Sequence, residues 1–375
     1  MRTIHRNGVV ALVAVLAVTF LSSAAASAAP ALACGSTLTR DTTLTRDLRC
    51  RHGDGLTLVG DVTLNLGGHR LIGPGATEPF PGGRIGVRLS LTGTSTIVNG
   101  TIAAWPIGID SNDDERSATA RIRDIRLLGN SIGLHIVRSE ASLVRVLVRG
   151  NAWGAEGGFS SSFTVRDSTF RNNGTGMTLA TMGHLNISRS TFSGHRNVAI
   201  GCTEVFCEIT GNRITGNGTG VSHWYSGPKV ADNYFADNTV AYSAGYNGFN
   251  DAEPYGDAVH DNRFVRNDVA VEIEALASAV FRDNEFRENR IGVRGPDGAA
   301  AYSVIVAGNT FRRNVDGIYL PPVEVSSGGN ARVSVGDNTA VRNRGWGIYA
   351  PGATDLGGNV ARGNGKSPQC VGVAC

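Results

Sequence analysis

The feature that most limits how this chain can fold is a short unit that recurs from about residue 120 to residue 364. One copy reads Val280-Phe281-Arg282-Asp283-Asn284-Glu285-Phe286-Arg287-Glu288-Asn289-Arg290-Ile291-Gly292-Val293, and the copy before it carries Asp261-Asn262-Arg263-Phe264-Val265-Arg266-Asn267. Each unit is an apolar-alternating run, an Asp or Gly before Asn-x-Phe, two residues, a second Asn and a short Gly-apolar run. Aligning the second Asn gives the column Asn130, Asn151, Asn173, His195, Asn217, Asn238, Asn267, Asn289, Asn314, Asn343 and Asn364. Its steps are 21 or 22 residues, interrupted by steps of 29, 25 and 29. A period of roughly 20–50 residues is the signature of a solenoid.

The content of the unit selects the kind of solenoid. Alternation with period 2 and β-branched or aromatic residues speak for short strands, and no window sustains the helical period. The Asn column has a physical reason, because Asn tolerates left-handed backbone and its amide can hydrogen-bond the Asn one coil away. Three residues earlier runs an apolar column, Leu127, Val148, Phe170, Phe192, Ile214, Phe235, Phe264, Phe286 and Phe311, ending in Ala340 and Ala361. These side chains would stack inside, ring on ring. The expectation is an all-β chain, a parallel β-helix of about a dozen coils at roughly 4.8 Å per strand.

The ends read differently. Residues 1–28 have the form of a secretory signal peptide: Arg2, His5 and Arg6, the apolar run Val9 to Leu21, then Ala26-Ser27-Ala28. That run is too short to span a bilayer, so a secreted, extracellular protein without a membrane span is expected. Residues 29–55 read as an N-terminal cap, 56–364 as the β-helix and 365–375 as a closed tail. The six cysteines fall into close pairs, Cys34 with Cys50, Cys202 with Cys207 and Cys370 with Cys375. In a secreted chain an even count reads as disulfides, although six cysteines admit about fifteen connectivities. A net charge of +3 with 18% charged residues predicts no nucleic-acid partner. Monomer and homotrimer stay open.

The repeats, Leu64-Asn65-Leu66-Gly67-Gly68-His69, Asn314-Val315-Asp316-Gly317-Ile318-Tyr319-Leu320 and the ending Gly357 to Cys370 resemble the right-handed parallel β-helix repeat proteins of the pectate-lyase-like superfamily, secreted actinobacterial members above all. The resemblance covers nearly all of the chain after the signal peptide. It implies a single-stranded right-handed parallel β-helix. It also implies the superfamily's range of activities: pectate and alginate lyases, polygalacturonases, mannuronan epimerases and tailspikes. The polygalacturonase signatures Asn-Thr-Asp, Gly-His-Gly and Arg-Ile-Lys do not occur, and the epimerase-type Tyr-Gly-Phe-Asp-Pro-His has only an echo at Tyr246-Asn247-Gly248-Phe249-Asn250-Asp251.

Outward positions of successive coils form ladders along a β-helix. Counting five residues past the Asn column, with Trp105 as a column member, gives Asp110, His135, Glu156, Thr178, Ser222, Ser243, Glu272, Arg294 and Tyr319; seven past adds Asn112, Trp224 and Glu274. Two clusters stand out. The first joins the excursion 242–257 to His223, Glu272 and Arg294. Its aromatics Trp224, Tyr225, Tyr246 and Tyr255 suit stacking on sugar rings. A lyase or epimerase needs a base beside a uronate carboxylate and a cation to neutralise it. His223 or a tyrosine is the base candidate. Arg294, or Ca²⁺ held by Asp251, Glu253 and Glu272, is the neutralising candidate. The alternative is a solvated loop without chemistry. The second cluster is Asp110, His135 and Glu156, an acid–His–acid column fit for proton transfer or a metal, or else a surface ion pair; Asp113 and Asp114 adjoin it. Two functions follow: a secreted protein that binds or processes an acidic polysaccharide, lyase- or epimerase-like if catalytic, or a non-catalytic extracellular scaffold or adhesin-like rod. The sequence fixes no metal requirement.

Overall fold

The computed structural model describes residues 32–76, 84–89, 93–112, 118–246, 258–296, 302–322 and 332–375. From Ala33 onward the chain forms one compact unit. It is all-β, and among the described residues there is no helix, hence none long and apolar enough to cross a membrane. Fifteen strands, from Ser36–Leu38 to Cys370–Val371, stack in chain order as one parallel sheet. The other strands of each coil stack as two further parallel ladders, for example Ser162–Arg166 on His184–Ser188 and Thr169–Arg171 on Thr191–Ser193. The long strands Thr94–Ala103 and Thr119–Leu128 run through the corner between those two ladders. The chain is thus the expected parallel β-solenoid. Its first and last coils begin inside the segments expected as cap and tail.

The interior follows from the repeat. Val148, Phe170, Phe192, Ile214, Phe235, Phe264, Phe286, Phe311 and Ala340 stand in one register and are fully buried. Successive rings stack face to face, with centroids 4.7 Å apart for Phe170–Phe192, 4.8 Å for Phe264–Phe286 and 4.6 Å for Phe286–Phe311. Burying each ring removes on the order of 150–250 Å² from water, so this column supplies much of the stability.

The Asn column turns each coil. The backbone N–H of Asn238 donates to Oδ1 of Asn267 at 3.0 Å, and its Nδ2 donates to the same oxygen and to the Ile214 carbonyl. The same trio recurs at Asn151, Asn217, Asn267, Asn289, Asn314 and Asn343. A buried turn would otherwise leave a donor and an acceptor unmet in every coil. A second ladder, Asn212, Asn233, Asn262, Asn284, Asn309, Asn338 and Asn359, does the same at the neighbouring corner. The left-handed residue is not the column Asn but the one before it: Gly129, Gly150, Asn172, Asp237, Arg266, Glu288, Arg313 and Arg342 all have positive φ. The amide is fully used as a hydrogen-bonding group, and its neighbour makes the bend.

The cysteines pair as proximity suggested, Cys34–Cys50, Cys202–Cys207 and Cys370–Cys375. The first and last close the terminal coils, and the second joins the first sheet to the next ladder in mid-solenoid.

Candidate functional site

The outward face of the first sheet carries one column whose register is continuous. It runs Thr57, Arg88, Asp110, His135, Glu156, Thr178, Gly201, Ser222, Ser243, Glu272, Arg294, Tyr319, Tyr349. The ladder counted from the sequence is therefore a physical row, one residue per coil.

At one end of the row, His135 Nδ1 lies 2.8 Å from Asp110 Oδ1. Both are almost enclosed, His135 at 6% and Asp110 at 3% exposure. Arg88 approaches the other Asp110 oxygen at 3.8 Å and is itself held at 3.2 Å by Asp54. Asp54 in turn accepts the backbone N–H of Ile85 at 2.9 Å. Glu156 stands beside His135 in register and is half-buried. Asp110, His135 and Glu156 are thus brought together. Asp113 and Asp114 lie outside the described residues, and for Asn112 only the backbone is described.

At the other end, Arg294 forms an ion pair with Glu272 on the preceding coil, both roughly a third exposed or less. The Ser243 hydroxyl donates to a Glu274 carboxylate oxygen. Beyond them Tyr319 and Tyr349 stack at 5.3 Å. Asp251, Glu253 and Tyr255 lie outside the described residues. His223 is displaced from its expected role: it points inward, is 2% exposed and sits between Cys202 and Ala244 in the register. Its Nδ1 meets the Ser226 carbonyl at 2.9 Å, and burial pushes its pKa down to about 4. His223 faces the coil interior, whereas His135 stands on the outward row, so His223 is turned away from a polymer lying outside and drops from the candidates.

Between the two ends, the turn that leaves the first sheet is lined with aromatic rings, Trp224 and Tyr225 exposed and Tyr246 half-buried. Trp224, Tyr225 and Tyr246 pack edge-on, with centroids 5.8, 6.0 and 4.7 Å apart. These three of the expected sugar-stacking residues therefore converge. Residues the sequence reading passed over extend the stripe: Phe159 at 56%, Met182 at 66% and Phe206 at 73% exposure. Phe206 stacks on His184 at 5.4 Å. Ser160, Ser162, Met182, His184, Phe206 and Tyr225 line a groove of about 670 Å³. Exposed apolar groups this concentrated mark a contact surface. The signal for Phe159, Met182 and Phe206 was weak, because they stand at or beside turns, where period-2 alternation does not say which way a side chain points.

A protein-family model described as "Periplasmic copper-binding protein (NosD)" matches residues 77–256. Copper calls for clustered His, Cys or carboxylate ligands. Among the described residues no three such side chains gather as a metal site. Within the matched span His135 is tied to Asp110, His184 stacks on Phe206, and His195 and His223 are buried in separate coils. The described residues do not fit a copper centre, and no chemistry is derived through one. No curated protein sequence matches the chain. Among solved structures, the periplasmic alginate epimerase AlgG is similar at 12% identity, with a TM-score of 0.43 over 88% of this chain and 72% of that one. A mutant of the same enzyme gives a TM-score of 0.45 over 89% and 73%, again at 12% identity. The chain is a parallel β-solenoid whose middle coils match the NosD family model.

Proposed function

We propose that this protein acts outside the cytoplasm, binding a linear acidic polysaccharide along the turn that leaves the first sheet, beside that sheet's outward row, with His135 as its proton-transfer group. The observation that carries the reading is the stripe Phe159, Phe206, Trp224, Tyr225 and Tyr246, lying between the Asp110–His135 pair and the Glu272–Arg294 pair. A linear glycan presents ring after ring, and a solenoid presents coil after coil. Aromatic faces take the sugar rings, while the polar row beside them takes hydroxyls and carboxylates. The leader-like residues 1–28, three disulfides and the word "periplasmic" in the matching family's description support the location.

The chemistry is proton abstraction beside a uronate carboxylate. The Asp110 carboxylate, 2.8 Å from His135 Nδ1, takes an N–H there and fixes the ring's orientation and tautomer. Arg88 stands 3.8 Å from the other Asp110 oxygen and is the guanidinium beside that pair. A second reading, a binding rod without chemistry, is favoured at the central cluster, where Glu272 and Arg294 neutralise each other instead of addressing a substrate.

The test uses the chain from residue 32 onward, with polygalacturonate, alginate and hyaluronan, each with and without Ca²⁺. Binding is read by calorimetry, cleavage by unsaturated-product absorbance, and epimerisation by exchange of the uronate C5 proton with deuterated water. A triple Phe206→Ala/Trp224→Ala/Tyr225→Ala variant is expected to bind at least tenfold more weakly, about 1.4 kcal/mol. Asp110→Asn and His135→Ala are expected to keep binding and lose proton exchange. Undiminished binding by the triple variant would sink the glycan reading. Binding with no exchange or cleavage in the native protein would leave the rod.

A further inference from the structure

We infer that the last coils carry a second, separate site, an arginine groove that takes the carboxylate or sulfate groups of an acidic glycan chain. At the corner before the Asn column, the left-handed positions of successive coils are Asp237, Arg266, Glu288, Arg313 and Arg342. Their charges alternate until the final step. Asp237 and Arg266 form a bidentate pair at 2.8 and 2.9 Å, and Arg313 reaches Glu288 at 3.9 Å. At the other charged corner Asp124 pairs with Arg145 at 2.7 Å and Asp167 with Arg189 at 2.9 Å, while further along Asp232, Asp261 and Asp283 follow one another on successive coils. Stacked coils bring such side chains within roughly 5 Å, so an opposite charge on the next coil neutralises a turn, and a run of like charges leaves a field for a ligand of the other sign.

Arg342 ends the alternation at its own corner. It follows Arg313, and among the described residues no carboxylate pairs with Arg342, Arg312 or Arg362. Arg312, Val341 and Arg362 stand in one register on three successive coils. Val341 is 7% exposed and forms the floor. Arg312, Arg342 and Arg362 form the walls of a groove of about 550 Å³. A groove of similar size near the other end of the solenoid, about 510 Å³, is lined by Asp124 and Asp167 as well as Arg126, Arg145 and Arg171, so it holds its own counter-charge. The C-terminal groove lacks one. Guanidinium forks bind carboxylate and sulfate oxygens two at a time, and arginines spaced by coils match the regularly spaced anions of a linear glycan.

This site is on a different ladder from the aromatic stripe, and it stands or falls independently of that reading except for the choice of a glycan as ligand. The experiment measures binding of a sulfated glycan, polygalacturonate, inorganic sulfate and a single-stranded oligonucleotide to the chain from residue 32, at two salt concentrations. An Arg312→Gln/Arg342→Gln/Arg362→Gln variant is expected to lose at least tenfold in affinity for the two glycans and most of the salt dependence. Arg145→Gln, which breaks a paired arginine, is expected to change neither. Arg342→Glu extends the alternation past Arg313, so it is expected to melt no lower than the native protein while weakening glycan binding, which separates loss of binding from misfolding. Unchanged glycan affinity in the triple variant would overturn the inference, and if the aromatic variant alone lost binding, the earlier reading would survive it. An oligonucleotide bound as tightly as the glycans would overturn the choice of ligand, and sulfate bound as tightly would reduce the groove to a simple anion site.

Discussion

The inside and outside of the first sheet's coils are built on opposite plans. Inside, each column repeats one kind of residue: Phe on Phe at 4.6 to 4.8 Å, Asn on Asn through the same three hydrogen bonds. Outside, the row Arg88, Asp110, His135, Glu156, Thr178 changes chemistry at every coil. Repetition makes each coil a template for the next and gives stability by nearest-neighbour contact. Variation offers no such template from one coil to the next. The difference teaches where to look for function in a solenoid, namely where the repeat is broken without a structural reason.

The comparison breaks hardest at the core. Phe286 is fully buried and stacked on both sides. Phe286→Ala should cost about 3–5 kcal/mol, whereas Thr178→Ala on the outward row should stay within about 0.5 kcal/mol. Denaturant unfolding of both variants decides it. A loss at Thr178 comparable to that at Phe286 would mean that the outward row is structural and the contrast mistaken.

The inward half of the architecture was legible because it is written many times over. One copy of Asn-x-Phe proves little, but aligned copies name the column, its register and its neighbours, and Trp105 takes its expected place by donating its backbone N–H to Asn130 at 3.0 Å. The outward ladder followed by parity. His223 shows the same rule neglected: with Ser222 and Trp224 facing out, an alternating strand sends the residue between them inward. Two things lay beyond the reach of pattern. Phe159 and Met182 sit at turns with positive φ neighbours, where alternation stops. The Arg312–Arg342–Arg362 groove depends on which carboxylates are absent from neighbouring coils, a fact visible only once the register is known.

A middle-sized effect sharpens the contrast from within. His195 takes an Asn's place in the ladder, 1% exposed, accepting the Asn173 N–H at 3.3 Å with Nε2 unmet inside. Burial lowers the pKa of both His195 and His223 from 6.5 to about 4. Each is therefore neutral in the fold and binds a proton more readily when unfolded. Their contribution is complete above about pH 6.5 and is lost as pH falls from there towards 4, on the order of 3 kcal/mol for each histidine. His195→Asn should restore the amide chain, raise stability at pH 7 by about 1 kcal/mol, and remove roughly half of the acid loss. Thermal melts between pH 4 and 7.5 check it, and an unchanged pH slope in the variant would show that His195 does not titrate with unfolding.

The smallest effect tests the outward plan at its most structured point. Glu272 and Arg294 look like a stabilising pair, yet each is about a third exposed and joins two coils already held by backbone ladders. Such pairs contribute about 0–1 kcal/mol. A double-mutant cycle with Glu272→Gln and Arg294→Ala should therefore give a coupling energy below about 1 kcal/mol, with melting temperatures shifted by only a few degrees. If the cycle returned several kcal/mol, the pair would belong to the structural plan, like the Asn ladder. If it returned little while either substitution altered polysaccharide affinity, the row's variation would be tied to a ligand, because the coils themselves would have no use for the charges that were removed.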